Sequence, residues 1–239
     1  MRVVGINGSP RGKASTTALM IDALLDGLRS GGSDITRLDL VERDIRQCRG
    51  CHRCWAVTPG TCVQDDDMRG VIGAMRGADF FIFGSPVYFS NVSGTLKTFF
   101  DRLTAAGGDP HTKPAQGEEP AGAAAVPEAA AARETPPPPP RYVMMANCGF
   151  PDPRQFDVVS LWIHRVAAMS GAELAGEFYL TGGKAVSAPG PGQTPLRARY
   201  LDTLRACGAC YAAHGKLNAD LAARTAMAAK MLAGPKFSD

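Results

Sequence analysis

The segment DFFIFGSPVYFSNVSGTLKTFFDRL, residues 79–103, decides the fold of this chain. Its first part, DFFIFGSP, is an apolar run, which is typical of a parallel strand that other elements cover on both faces. The later part, SGTLKTFFDRL, is predicted to be helical. A buried strand that is followed at once by a helix is the repeating unit of an α/β sheet.

The same alternation of strand and helix continues along the chain. Strands are predicted at RVVGIN, DITRLDL, DFFIFGSP, RYVMMANCG and AELAGEFYL, with helical segments between them. This order predicts an α/β fold, a doubly wound five-stranded parallel sheet with helices on both faces. We expect a single domain over residues 1–239, with extra helices at the C-terminal residues 195–233.

Residues 105–141 interrupt the alternation. They are dominated by Ala, Gly, Pro and Glu and contain almost no large apolar side chain. Such a segment buries too little surface to offset the entropy of ordering it. We therefore predict a disordered, solvated insert, with a docking segment as the alternative.

Composition and charge exclude several classes of protein. The 239 residues are 45% hydrophobic and 21% charged, and the formal net charge of +3 is too small for a general nucleic-acid footprint. The apolar run Val3–Ile6 is too short for a signal peptide, and no later segment has the roughly 18 apolar residues of a membrane span. We expect a cytoplasmic protein, where clustered cysteines indicate metal or redox chemistry rather than structural disulfides.

The loop after the first strand, GINGSPRGKASTT, is predicted to hold a phosphate. It matches neither the P-loop nor the G-x-G-x-x-G pattern. It instead combines hydroxyls and a guanidinium with the start of a helix, which suits a phosphate monoester: Ser9, Arg11, Ser15, Thr16 and Thr17. The alternative is an ordinary turn capped by Ser15.

Two further loops are predicted at the same edge of the sheet. After the third strand, Tyr88, Phe89 and Asn91 could supply a platform and hydrogen bonds for a planar ring. After the fourth strand, Asn147, Cys148 and Gly149 reach the same place. The alternative is that the aromatic residues only cap the core.

Four cysteines lie in CRGCHRCWAVTPGTC, residues 48–62, which we call the cysteine segment. Cys48, Cys51 and Cys54 have the x2, x2 spacing that can wrap one corner of an iron–sulfur cubane, and Cys62 could close the site. Nearby Arg and His side chains would stabilise an anionic cluster. Bare thiols, zinc and a disulfide remain alternatives. A second pair, Cys207 and Cys210, is predicted to pack within a helix.

The chain resembles the NADPH-dependent FMN reductase superfamily, and more narrowly its iron–sulfur flavoproteins. The resemblance rests on NGSPR, STT, GSPVYFSNVSGTLKTFFDR and the cysteines before DDDM, over about residues 1–104 and more loosely 142–182. It implies a flavodoxin-like fold with FMN at the strand edge. The phosphate would be held by Ser9, Arg11, Ser15, Thr16 and Thr17, and the isoalloxazine would be lined by Pro86, Val87, Tyr88, Phe89 and Asn91, with Asn147 and Gly149 on its other flank.

The resemblance also implies a function and an assembly. We expect an FMN-dependent oxidoreductase that passes electrons between a carrier such as ferredoxin and a small oxidant through a [4Fe–4S] cluster, in a homodimer or homotetramer. Cys48, Cys51, Cys54 and Cys62 would hold the cluster. The alternatives are an NAD(P)H-dependent reductase of quinones or nitro compounds without a cluster, and a non-enzymatic zinc-bearing interaction module. No catalytic side chain is assigned, because the cofactors carry the chemistry.

Overall fold

The computed structural model describes residues 1–107 and 138–233. Its strands are β1 (Arg2–Asn7), β2 (Asp34–Asp39), β3 (Phe80–Tyr88), β4 (Asn91–Val92), β5 (Arg141–Asn147) and β6 (Glu173–Leu180). Its helices are α1 (Thr16–Ser30), α2 (Arg53–Ala56), α3 (Met68–Met75), α4 (Gly94–Arg102), α5 (Asp157–Met169), α6 (Lys184–Ser187), α7 (Gln193–His214) and α8 (Ala219–Ala233). Most of the predicted insert, residues 108–137, lies outside the described residues, so its disorder and the single-domain assignment stay predictions.

The predicted parallel sheet is confirmed. Five parallel strands lie in the order β2-β1-β3-β5-β6, which is the order of flavodoxin-like folds. The sequence did not indicate β4, a two-residue strand that pairs antiparallel with the end of β3. Asn7 is in register with Gly84, and Pro86 with Asn147, so the C-terminal ends of β1, β3 and β5 meet at one edge.

Helices cover both faces of the sheet. Alternate side chains of β3 point to opposite faces, and this explains its apolar run: Phe80 and Ile82 pack with one cluster, Phe81 and Phe83 with the other. The first cluster is built with α1, α7 and α8, and the second with α3, α4 and α5. Because helices pack on both faces of β3, the sheet edge at the C-terminal ends of the strands is held in a fixed position.

Helix α7 packs tightly across α1 because small residues face each other. A Cβ atom at Gly27 would lie 1.9 Å from the carbonyl oxygen of Arg205, and one at Gly208 would lie 2.1 Å from that of Leu24. Cys207 and Cys210 are buried on the same helix, which confirms that this pair packs in the core. The contact anchors α1, whose N-terminus forms part of the candidate site.

In the part of the chain that the structure describes, no helix is long and apolar enough to cross a membrane.

Candidate functional site

The loop between β1 and α1 is stabilised by hydrogen bonds of the buried Asn7 side chain. The buried Asn7 amide donates hydrogen bonds to Asp39 Oδ1 at 2.7 Å and to the Gly12 carbonyl at 3.1 Å. Its own Oδ1 accepts from the Ser9 backbone N–H at 3.1 Å. Because these partners are buried, the loop is held in one conformation without a ligand.

The hydroxyl groups of this loop have different roles. Ser15 is the N-cap of α1, as the sequence indicated: its Oγ accepts from the Ala18 N–H at 3.0 Å and donates to the Gly12 carbonyl at 2.7 Å. Thr16 Oγ1 donates to the Gly183 carbonyl at 2.8 Å, which ties α1 to the loop after β6. The hydroxyl protons of Ser15 and Thr16 are therefore not available to a phosphate in this arrangement.

Thr17 keeps its proton for a ligand. Its Oγ1 accepts from Asn147 Nδ2 at 2.8 Å, and no acceptor within the described ranges takes the hydroxyl proton. The backbone N–H groups of Thr16 and Thr17 belong to the first turn of α1, where such groups have no partner inside the helix. A helix N-terminus with free donors is a ready site for an anion.

Arg11 adds positive charge at the mouth of this loop. Its side chain is exposed and donates from Nη2 to the Ala14 carbonyl at 3.3 Å. Ser9 is buried beside it, and its Oγ accepts from the Arg11 N–H at 3.3 Å. The donor set of N–H groups, hydroxyls and one guanidinium matches what a phosphate monoester requires.

The second wall of the site follows β3. Pro86 is buried, Val87 is partly buried, and Tyr88 is about half exposed. The structure does not bring Phe89 and Asn91 into this wall. Phe89 and Ser90 both have positive φ, +51° and +61°, and form the tight two-residue turn into β4.

This turn carries Phe89 into solvent. The Phe89 side chain is fully exposed, and Asn91 uses its Oδ1 to accept from the Val92 N–H at 2.8 Å. Their contact with an isoalloxazine therefore stays a prediction.

The third wall comes from the ends of β5 and β6. Asn147, Cys148 and Gly149 follow β5 as the sequence indicated. Cys148 is buried, donates to the Phe150 carbonyl at 3.2 Å, and has a pKa that burial raises, so its thiol stays protonated near neutral pH. This fits the expectation that Cys148 lies near the site without acting as a nucleophile.

Three residues after β6, one in the loop and two in the short helix α6, complete the site and were missed from the sequence. They are Gly183, Lys184 and Ser187. The only signal for them was position, because LTGGKAVS follows the end of a predicted strand at the same sheet edge. Lys184 is exposed and adds a second positive charge at the rim.

Together the loops enclose one open cleft of about 240 Å³. The predicted residues among its walls are Ser9, Arg11, Ser15, Thr16, Thr17, Pro86, Val87, Tyr88, Asn147 and Gly149. We call it the flavin cleft, because phosphate donors at one end and a Pro–Val–Tyr wall beside Asn147 fit a phosphorylated planar ring such as FMN. The cleft lies where the strand order reverses, between β1 and β3, as is typical of flavodoxin-like sites.

A larger cleft of about 740 Å³ lies elsewhere, between α5, β6 and α8. Its walls include the stacked rings of Phe156 and Tyr179, whose centroids are 4.8 Å apart, together with Lys230 of α8. The first turn of α5 contributes the Asp157 carboxylate to its wall, and this charge would repel a phosphate, so size alone does not make it the cofactor site.

The cysteine segment is far less organised than the flavin cleft. Cys48 and Cys51 are exposed, and Cys54 and Cys62 are partly buried. Over residues 1–107 and 138–233, no three Cys, His, Asp or Glu side chains converge in a geometry that would hold a metal ion. All seven cysteines of the chain are free thiols, so the disulfide alternative is not formed here.

The donor set of the segment nevertheless fits an iron–sulfur cluster. Burial raises the pKa of Cys54, and the charges of Cys62, Cys48 and Cys51 add to the rise, so each of these three sulfurs lies within electrostatic range of the Cys54 sulfur. Gly50 and His52 both have positive φ, +60° and +53°, and coil the backbone tightly around Cys51. Coiled backbone of this kind forms the N–H concavities found at many iron–sulfur sites.

A buried ion pair lies beneath the cysteine segment and was not foreseen. Arg102, the last residue of α4, contacts Asp66 through two hydrogen bonds of 2.5 and 2.9 Å. Asp66 lies in an acidic run, Asp65–Asp67, just before α3. The structure uses it as the partner of a buried guanidinium.

The fold and the flavin cleft define a flavodoxin-like FMN-binding class of protein. A family model described as NADPH-dependent FMN reductase matches residues 1–134, so the chain belongs to the NADPH-dependent FMN reductase family. The resemblance expected from the sequence is thereby confirmed as membership of this family.

Relatives and solved structures agree with this assignment. The chain is 39% identical over 113 residues to an iron-sulfur flavoprotein of Archaeoglobus fulgidus, which is 47% of this chain and 50% of the relative. It is 31% identical over 117 residues to an FMN-dependent NADH:quinone oxidoreductase of Methylorubrum populi, 45% of this chain and 56% of the relative. The chain thus spans about half the length of the curated relatives it matches.

The fold is shared with an FMN-dependent NADH-azoreductase of Bacillus anthracis whose structure contains FMN. The TM-score is 0.59 at 12% identity, over 89% of this chain and all of the other. Identity this low supports the fold alone.

Proposed function

We propose that this chain is an iron–sulfur flavoprotein, which passes electrons between a carrier protein such as ferredoxin and a small oxidant. The observation that carries the proposal is the flavin cleft, in which three loops at one sheet edge assemble phosphate donors and a ring wall. Two observations support a cluster as the second redox group. Four thiols lie within residues 48–62, and the relative that is 39% identical is named as an iron-sulfur flavoprotein.

The residues of the cleft bind and orient the flavin. Bound FMN supplies the chemistry, because its ring accepts or gives one or two electrons. Thr17 Oγ1, the first N–H groups of α1 and the Arg11 guanidinium would hold its phosphate. The wall of Pro86, Val87 and Tyr88 would exclude water from one side of the ring.

The cysteine segment would hold the [4Fe–4S] cluster through Cys48, Cys51, Cys54 and Cys62. Thiolates are the protein ligands of such clusters. A cytoplasmic location, where thiols stay reduced, and assembly as a homodimer or homotetramer belong to the same proposal.

A second function is an NAD(P)H-dependent FMN oxidoreductase that reduces quinones or nitro compounds without a cluster. One specific observation favours it: the Methylorubrum populi relative is named as an FMN-dependent NADH:quinone oxidoreductase. In this function Lys184 and Arg11, at the rim of the flavin cleft, would attract an anionic nucleotide.

The electron donor distinguishes the two functions. The purified holoprotein would be mixed anaerobically with either reduced ferredoxin or NAD(P)H, and the flavin absorbance followed in time. We expect reduced ferredoxin to bleach the flavin faster than NAD(P)H does. Rapid bleaching by NAD(P)H, with no faster reaction from ferredoxin, would instead establish the second function.

A further inference from the structure

Arg102 is one of the most deeply buried large side chains of the structure. Its side chain is 1% exposed and that of its partner Asp66 is 0% exposed. Nη1 contacts Asp66 Oδ2 at 2.5 Å and Nη2 contacts Oδ1 at 2.9 Å, the two-pronged geometry that only arginine provides. Burying such a pair is unfavourable unless its remaining donors and acceptors are also satisfied.

The same pair joins both ends of the cysteine segment to α4. Before the segment, Arg102 Nη1 donates to the Arg46 carbonyl at 2.8 Å. After it, Asp66 accepts from the Met68 N–H at 3.2 Å and also from the Arg46 N–H at 3.1 Å. We call Arg102, Asp66 and the main chain of Arg46 the clasp. The clasp brings together residues that are two positions before Cys48 and four after Cys62.

The Nε atom of the Arg102 guanidinium has no acceptor in the described part of the chain. Arg102 Nε is buried and makes no hydrogen bond to any residue that the structure describes. Hydrogen bonding to Asp66 raises the pKa of Arg102, and the Cys62 side chain, which lies within reach of the guanidinium, raises this pKa further. A buried donor without an acceptor is costly, so it marks a place where an acceptor is missing.

We propose that Arg102 is a positioning residue of the cysteine segment, which holds the two ends of the segment together and donates from Nε to the Cys62 sulfur when the cluster is bound. This inference rests on the proposed function. It explains why a charged residue is buried at the end of α4, where a leucine would pack at lower cost. Hydrogen bonds to the sulfurs help to set the potential of a cluster, so the clasp would also tune it.

Two variants test the clasp. Arg102→Lys keeps the charge opposite Asp66 but removes the two-pronged contact and Nε. The double variant Arg102→Gln with Asp66→Asn removes both buried charges together, so that neither is left unpaired. The matched control is Arg165→Gln, an exposed arginine of α5 outside the cysteine segment. Bound FMN and the thermal unfolding midpoint show whether each variant is folded.

The first readout is hydrogen–deuterium exchange of residues 46–66 in the metal-free protein. We expect faster exchange in both clasp variants and wild-type exchange in Arg165→Gln. The second readout is reconstitution with iron and sulfide, in which the clasp variants should bind iron about 10- to 100-fold more weakly. The third is the cluster potential, which should be lower in Arg102→Lys because a donor to sulfur is lost.

Unchanged exchange and unchanged iron binding in both clasp variants would overturn the inference. Faster exchange with an unchanged potential would overturn the part that concerns Nε and Cys62. If the wild-type chain takes up no iron, the proposed function fails, and with it the sulfur contact. The exchange data would still decide whether Arg102 positions the segment, because they are collected without metal.

Discussion

The flavin cleft and the cysteine segment differ in how many of their binding groups are already held in place in the folded chain. In the cleft, Asn7, Ser15 and Thr16 have polar partners inside the protein, and the loop is rigid before any ligand binds. In the segment, Cys48 and Cys51 face solvent, while Arg102 and Asp66 fix its two ends.

The difference follows from what each site has to bind. A phosphate and a planar ring can be recognised by neutral donors, which cost little to hold in place when they are hydrogen-bonded. Four thiolates repel each other, as the charges that raise the pKa of Cys54 indicate. They can converge only when a cation neutralises them, so under the proposed function the segment would assemble around its cluster while its ends stay fixed.

The largest expected effect comes from breaking the ligand set. Cys51→Ala removes the central thiol of the x2, x2 run, and we expect it to abolish iron binding while FMN stays bound, because the two sites share no residue. Iron, sulfide and FMN per chain measure this. Cys210→Ala is the control, since that thiol belongs to the second, buried pair. Unchanged iron in Cys51→Ala would show that our ligand assignment is wrong.

A smaller effect is expected in the flavin cleft. Arg11→Ala combined with Thr17→Val removes a guanidinium and the one free hydroxyl proton of the α1 turn. A hydrogen bond to a charged group is worth about 1.5–3 kcal/mol, so FMN should bind roughly a hundredfold more weakly.

The matched control for this variant is Lys13→Ala. Lys13 is on the same loop but pairs with Glu42 at 3.0 Å and lies outside the cleft walls. Flavin fluorescence titration of the apoprotein gives the affinity. Equal affinity in the double variant and the control would mean that the phosphate is held elsewhere.

The smallest effect is a difference in thiol reactivity. Burial raises the pKa of Cys207 to about 11, so its reactive thiolate is scarce below that pH and grows only as the pH rises toward it. In metal-free protein at about pH 8, iodoacetamide should therefore modify the exposed Cys48 and Cys51 well before the buried Cys207 and Cys148. Peptide mass spectrometry over time tests the order. Equal rates at all four positions would contradict the contrast between the two regions.

The sequence predicted the sheet and much of the cleft for one physical reason. A buried parallel strand needs an apolar run, and the carboxyl ends of parallel strands meet at one edge. The loops after β1, β3 and β5 could therefore be placed together from the sequence. The walls formed by Thr17, Pro86 and Asn147 confirm that placement.

What could not be predicted depended on contacts between distant segments. Gly183 enters the site through a hydrogen bond from Thr16, which is 167 positions away. Phe89 leaves the cleft because it adopts a positive φ, a conformation usually taken by Gly, Asn or Asp and not indicated by this sequence. Arg102 lies in a helix whose pattern suggests an exposed charge, and only the folded chain brings Asp66 against it.

The most direct test of the account is a single anaerobic purification in which iron, acid-labile sulfide, zinc and FMN are measured per chain on one sample. We predict FMN together with about four iron and four sulfide per chain, and no zinc. FMN without iron or sulfide would contradict the iron–sulfur proposal and leave the NAD(P)H-dependent reductase. A colourless protein that contains zinc would contradict both.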